Sequence, residues 1–302
     1  MKTLLYLFFL TSFTTIAQTQ RDTLVSQIVR AFPTDKTSYE KLKTDIKKLE
    51  DLEAKPNPEI LYCSLDFIYQ QNDLDYFKET LTLLTRNYGF NLTYATGKEP
   101  YYNDIIHGNL ATWFKEMYIK NHSEWLSENL DKQIDIYRLN RLRYDDQLVH
   151  NVILKIQQIE GLNEEHLKQL RQKDADYFLR NLNTLLTISN KINKLPTGNS
   201  FALIQNYYGI VETHAMQEPE IIDKAWKSLY PFYKASYLDK DISFISFMNI
   251  DFCMHRHNGK QIFNLINPES FPKSSQNNIN DKEIPLFDAD LTKKLRTELG
   301  WE

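Results

Sequence analysis

Apolar residues recur every three to four positions along most of this chain, which is the spacing of one face of an α-helix. Two long stripes show it best: Leu139, Leu142, Val149, Val152, Ile153 and Ile156 in the first, and Phe178, Leu182, Leu185, Leu186 and Ile192 in the second. Alternation of apolar and polar residues, which marks a half-buried strand, is scarce. The sequence therefore predicts a mainly α fold, built from antiparallel helix pairs or a bundle.

Start and stop signals divide the chain into separate helices. Asp73 or Asn72 can cap a helix that ends at Gly89, and Asn163 can cap another that follows a stop at Gly161. Helices are predicted at about 21–31, 36–53, 58–70, 74–88, 134–159, 200–216 and 290–299.

One segment carries a β signal. Asn258-Gly259 is a preferred two-residue hairpin turn, because both residues tolerate positive φ. With the flanks 252–257 and 260–263, it predicts a small β-hairpin near the C-terminus.

The N-terminus has the pattern of a secretory signal. Lys2 precedes the apolar run 4–10, and Thr15-Ile16-Ala17 places small residues before Gln18. We expect a signal peptide at 1–17 and an exported, periplasmic or extracellular protein. The alternative is a short membrane anchor, although the run is too short to span a bilayer stably. The mature chain is expected to contain no transmembrane segment.

The remainder divides into three predicted regions. They are a helical region at 18–133, a helical domain with the hairpin at 134–272, and a linker with a short helix at 273–302.

Composition excludes some classes of protein. The chain has 8 glycines against 18 tyrosines and 17 phenylalanines, so glycine-rich phosphate loops are scarce. The net charge is −4, and loss of Lys2 with the signal makes it one unit more negative. A mildly acidic chain without a basic stripe is a poor nucleic-acid binder. The expected partner is an unknown protein or small molecule, and no cofactor is indicated.

There are two cysteines, Cys63 and Cys253. An oxidising compartment permits a disulfide between them, and the alternative is two buried free thiols.

Familiar catalytic motifs are missing, including the nucleophile elbow, the Walker loop and the dinucleotide fingerprint. The candidate catalytic residues are Asp146, His214 and Asp251. His214 lies on or beside an apolar helix face, where it is either a hydrogen-bonded core residue or a general base. His255 and His257 would share one face of a strand, which makes them weak candidates for metal ligands, but no third ligand is evident and no metal is predicted.

Residues 138–268 resemble an uncharacterised bacterial domain family, a domain of unknown function common in exported proteins. The resemblance rests on the following residues: Asp146-Gln147 near Arg141 and Arg143, Asp174 or Asp176 followed by Asn183, Gln205 and His214, then Asp251, Gly259 and Gln261. The chain departs from the pattern near His150, where an arginine usually follows the Asp-Gln pair. The resemblance implies an architecture and a residue set, with Gln147, Gln205 and Gln261 as candidate ligand-binding residues. It implies no reaction.

Two hypotheses follow for function. The first is a non-catalytic helical binding protein of the cell envelope, which the lack of catalytic motifs favours. The second is a hydrolase-like enzyme with an acid–base site built from Asp146, His214 and Asp251.

Overall fold

A computed structural model describes residues 19–31, 35–159, 161–204, 209–217, 221–271 and 283–301. These ranges are mainly helical and contain no strand, which confirms that the fold is mainly α but does not show the predicted hairpin. The helices are α1 Gln20–Arg30, α2 Lys36–Glu53, α3 Pro58–Gln70, α4 Leu74–Tyr88, α5 Tyr102–Ile106, α6 Ala111–Glu128, α7 Gln133–Gln157, α8 Glu164–Ile192, α9 Gly209–Gln217, α10 Ile222–Leu238, α11 Ile245–Asn258 and α12 Ala289–Glu298.

Local sequence explains where several of these helices begin and end. Asp35 accepts a hydrogen bond from the Ser38 backbone N–H, and the Ser38 hydroxyl accepts one from the Asp35 N–H, so α2 begins with a capping box. Asn163 caps α8 in the predicted way, through the His166 N–H. Gly89 ends α4 with φ of 71°.

The chain divides into two compact units. The N-terminal unit comprises Thr23–Arg138 and Pro196–Gln205, and the C-terminal unit comprises Met1–Asp22, Leu139–Leu195 and Asn206–Glu302. In the N-terminal unit, α4 packs against α3 and α6. Its core includes the fully buried side chains Leu65, Phe77, Leu81, Leu84 and Phe90.

Helix α9 is the centre of the C-terminal unit, since it packs against α8, α10 and α11. Val211 and Ala215 on α9 are fully buried. Because neighbours surround α9 on several sides, polar residues on it must find partners inside the unit.

The start of α1 is fixed to the C-terminal unit by Asp22. Its buried carboxylate accepts hydrogen bonds from the Tyr237 hydroxyl at 2.6 Å, the Thr19 hydroxyl at 2.7 Å and the Phe244 N–H at 3.2 Å. Trp301 in turn donates its indole N–H to the Tyr237 hydroxyl at 2.7 Å. One buried carboxylate thus holds the N-terminal and C-terminal ends of the described chain against the end of α10.

The hairpin predicted at Asn258-Gly259 is wrong. Residues 252–258 belong to α11, and Gly259 is its C-cap, with φ of 73° and its N–H donating to His255 O. The residue after a helix commonly adopts the same left-handed conformation as a hairpin turn, so glycine suits both. Gln261 instead bridges to the extended segment around Leu286.

No helix within the described ranges is long and apolar enough to cross a membrane.

Both cysteines are free thiols, so the disulfide that the sequence permits between Cys63 and Cys253 is not found. Cys253 is buried, and the loss of hydration raises the pKa of its thiol to about 12, whereas Cys63 is exposed.

Candidate functional site

Three helices of the C-terminal unit bring two histidines and two aspartates together. Asp146 and His150 lie four residues apart on α7, so they share one side of that helix. Asp174 lies on α8 and His214 on α9. These four residues are called the imidazole pair cluster below.

The closest contact in the cluster joins His214 to Asp146. His214 Nδ1 lies 2.6 Å from Asp146 Oδ2, and both side chains are buried. The contact is a close approach and not an aligned hydrogen bond, since neither atom has a partner of good hydrogen-bond geometry among the described residues. Asn181 on α8 donates to the other oxygen of Asp146 at 3.3 Å. One carboxylate thus links all three helices.

The second pair is similar but more open. His150 Nδ1 lies 3.1 Å from Asp174 Oδ2, and the His150 side chain keeps 28% of its surface exposed. The two imidazole rings are adjacent, with centroids 4.6 Å apart. His150 is therefore the side of the cluster that solvent can reach.

Phe178 forms the apolar floor of the cluster. Its ring centroid lies 4.6 Å from that of His214 and 5.8 Å from that of His150. Packing against an aromatic ring limits the rotation of both imidazoles. In addition, a carboxylate oxygen lies beside Nδ1 of each imidazole. A carboxylate in this position is the arrangement that orients a histidine for proton transfer or ligand binding.

The cluster also contains an unsatisfied acceptor. Asp174 Oδ1 is buried, in a residue that is only 6% exposed, and it has no hydrogen-bond partner among the described residues. In the described ranges, no lysine or arginine forms an ion pair with Asp146 or Asp174. An unmet buried acceptor costs about 1–3 kcal/mol, so this atom favours a molecule that supplies a donor.

Asp251 lies outside the cluster and organises a loop. Its carboxylate accepts hydrogen bonds from the backbone N–H groups of Ile262, Phe263 and Leu265 at 2.7, 2.8 and 2.9 Å. Complete burial raises the pKa of Asp251 to about 6 despite these bonds. Gln261 accepts the Ile266 N–H and donates to Ile284 O. Both residues therefore fix the chain after α11, and neither contacts His214.

The remaining candidates that the structure describes make no hydrogen bond or ion pair with the cluster. Gln147 is half-buried, and its side chain makes no hydrogen bond to another residue that the structure describes. Gln205 lies outside the described residues. His255 and His257 lie on a helix, where residues two apart are about 200° apart, so they do not share a face. No group of three or more potential metal ligands occurs within the described ranges.

A buried carboxyl on α9 is a further feature that the sequence did not predict. Glu212 accepts a hydrogen bond from the Tyr233 hydroxyl at 2.6 Å, while its Oε1 has no hydrogen-bond partner in the part of the chain that the structure describes. Burial raises the pKa of Glu212 to about 7. Glu212 and His214 are two residues apart on α9, so they point to different sides of that helix.

Sequence reasoning also missed His150, Phe178 and Asn181. A signal was present, since Asp174, Phe178 and Asn181 follow the helical spacing of four and then three residues. It could be interpreted only once the register of α7 against α8 was known.

No family model, curated protein or solved structure matches the chain. The resemblance of residues 138–268 to a bacterial domain of unknown function therefore stays a prediction.

Proposed function

We propose that this chain is an exported binding protein that takes a small polar molecule at the imidazole pair cluster. The observation that carries the proposal is the pairing of two histidines, each against its own carboxylate, with one histidine open to solvent. Burial of four polar side chains inside a helical unit costs folding free energy unless their donors and acceptors form hydrogen bonds.

The chemistry of the cluster indicates the kind of ligand. Asp174 Oδ1, an unsatisfied atom on the side of His150, is an acceptor. The ligand should therefore present a hydrogen-bond donor, such as a hydroxyl, amide or ammonium group, beside His150.

Nuclear magnetic resonance of the imidazole C–H groups tests the proposal. Three probes cover the donor types: glucose, acetamide and ethanolamine. We expect at least one to shift the His150 signal saturably in the wild type. The Asp174→Asn variant should lose the response, because the amide replaces an acceptor with a donor. Asp176→Asn is the matched control, since Asp176 is exposed on the same helix and hydrogen-bonds only Gln172 among the described residues. Equal responses of both variants would contradict the proposal, as would no response in the wild type.

The second candidate is a hydrolase-like enzyme that uses His214 or His150 as a general base. The hydrogen bond between His150 Nδ1 and Asp174 favours it, because such a pairing fixes the tautomer that accepts a proton at Nε2. Hydrolysis of 4-nitrophenyl acetate and 4-nitrophenyl phosphate tests this candidate. Turnover should fall at least about 100-fold in His150→Gln and in His214→Gln. Turnover that is the same in both variants as in the wild type excludes the cluster as a catalyst for these substrates.

A further inference from the structure

The imidazole pair cluster contains two buried carboxylates that lack a lysine or arginine partner. Asp146 is fully buried, and Asp174 is 6% exposed. No lysine or arginine of the described ranges forms an ion pair with either of them. Arg171 and Lys173, which lie next to Asp174 in the sequence, are both exposed. A buried charge without a partner is strongly unfavourable, so the charge of this cluster needs compensation from another source.

The two histidines can neutralise only part of this charge. The ring centroids of His150 and His214 lie 4.6 Å apart, and two imidazolium rings at that distance would repel each other. Two carboxylates and at most one imidazolium leave the cluster with at least one net negative charge. A ligand that supplies only a hydroxyl or an amide would leave that charge in place, whereas a cation would neutralise it.

The acceptors of the cluster favour a cation that also donates hydrogen bonds. Asp174 Oδ1, on the side of His150, is buried without a hydrogen-bond partner among the described residues. A hydrogen bond from a charged donor to a carboxylate is about twice as strong as one between neutral groups. A metal ion would need a set of ligands, and the described ranges contain no suitable group of three or more. An ammonium group fits these conditions.

We propose that the ligand of the imidazole pair cluster is a small primary amine, whose ammonium group donates a hydrogen bond to Asp174 Oδ1. This inference rests on the function proposed above and narrows its ligand from any hydrogen-bond donor to a cation. The ammonium group enters where the His150 side chain is 28% exposed and takes the place of the His150 ring, which turns outward. At that place it lies near the Phe178 ring, whose centroid is 5.8 Å from that of His150, within the range of a cation–π interaction.

Probes of similar size and different charge test the inference on the wild type. Ethylamine is a cation at about pH 7.5, ethanol is a neutral donor, and tetramethylammonium is a cation without a donor. In imidazole C–H spectra at constant ionic strength, ethylamine should shift the His150 signal saturably. Its dissociation constant should be about 10-fold or more below those of the other two probes. Ethanol or tetramethylammonium binding as tightly as ethylamine would overturn the inference.

The same spectra separate this inference from the function proposed above. Saturable binding of glucose or acetamide that is lost in Asp174→Asn, without binding of ethylamine, would keep the binding site and refute the ammonium ligand. No response of the wild type to any probe would refute both.

A tethered ammonium group gives a test that needs no ligand. His150→Lys places an ammonium group beside the cluster, whereas His150→Gln places a neutral side chain there. At about pH 8 the unfolding equilibrium constant of the lysine variant should be about 10-fold smaller than that of the glutamine variant, because the tethered cation pairs with Asp174. The His214 signal of the lysine variant should also no longer respond to ethylamine.

Asn151→Lys and Asn151→Gln are the matched controls, since Asn151 is exposed on the same helix, and these two variants should be equally stable. Urea denaturation followed by circular dichroism compares the four variants. Stability of His150→Lys equal to or lower than that of His150→Gln would overturn the proposal.

Discussion

His214 Nδ1 on α9 lies 2.6 Å from Asp146 Oδ2 on α7. Both residues are buried and have lost their hydration, and the contact between them offsets part of that cost in free energy. The pair joins two helices that are far apart in sequence, and Asn181 adds α8 to the same carboxylate. The contact can therefore stabilise the helix packing and hold His214 in one orientation for a ligand.

Replacement of His214 with Gln should lower the free energy of unfolding by about 3 kcal/mol, because it removes the side chain that lies closest to the buried Asp146 carboxylate. Urea denaturation followed by circular dichroism measures this change. His166→Gln is the control, since His166 is exposed on α8, and its effect should be under about 0.5 kcal/mol. A loss below about 0.5 kcal/mol for His214→Gln would show that the pair contributes little to stability.

Glu212 should make the protein less stable as pH rises from about 4.5 to 7. Burial raises its pKa to about 7 from the ordinary 4.5, so the folded state binds the proton more tightly than the unfolded state. The stabilisation is complete below pH 4.5 and is lost as pH rises through the folded pKa.

Glu212→Gln should therefore be more stable than the wild type at pH 8, by up to about 3 kcal/mol. Between pH 6.5 and 8 its stability should be nearly flat, and Asp251 contributes little there because its pKa is about 6. Urea titrations across this range measure the slope. A matching slope in the wild type and in Glu212→Gln would refute the assignment, and Glu165→Gln should leave the slope unchanged.

Local signals in the sequence predicted most helices correctly, but one local signal had two meanings. The ends at Gly89 and Asn163 depend on short-range capping, which the sequence alone can specify. Asn258-Gly259 fits either a hairpin turn or a helix C-cap. The outcome depends on the burial of α11 side chains such as Phe247 and Met254, which no short segment specifies.

The site was predictable only in part for a similar reason. Helical spacing identified His214 as a residue on an apolar face, and Asp146 was named as a candidate carboxylate. His150 and Asp174 lie on different helices, so their pairing depends on the register of α7 against α8. Asp251 was assigned to the same site because it is one of the polar residues of the family resemblance, although its carboxylate accepts hydrogen bonds from backbone N–H groups of the loop after α11.

Asp251→Asn should lower the stability by about 2 kcal/mol or more, because the amide nitrogen cannot accept the Leu265 N–H that Oδ2 accepts. Amide hydrogen exchange should accelerate most at Ile262, Phe263 and Leu265. Asp290→Asn, at an exposed position in the first turn of α12, is the control. Unchanged exchange in this loop would contradict the role given to Asp251.

The mature chain should begin at Gln18, which leaves Thr19 and Asp22 in place. The Thr19 hydroxyl donates to Asp22, and Asp22 accepts the Tyr237 hydroxyl, so a cleavage beyond Thr19 would remove part of this contact. N-terminal sequencing and the intact mass of protein secreted from bacterial cells measure the start. Retention of Met1 on the exported chain would disprove cleavage, and Ala17→Phe, which places a bulky residue before the cut, should block it.

Gly89→Ala should be much more destabilising than Gly259→Ala. Both glycines have positive φ, 71° and 73°, so alanine pays a similar backbone cost of about 1 kcal/mol at each position. At Gly89 a Cβ atom would also lie 2.2 Å from the Trp125 ring, whereas at Gly259 nothing lies within 4 Å. The indole is rigid and buried, so it cannot move aside without disturbing the packing of α6 on α4. We expect a further loss of about 1–3 kcal/mol at Gly89, measured by urea denaturation of the two variants side by side. Equal losses would mean that Trp125 repacks freely. In that case Gly89→Ala should cost as much stability in a Trp125→Leu background as it costs in the wild type.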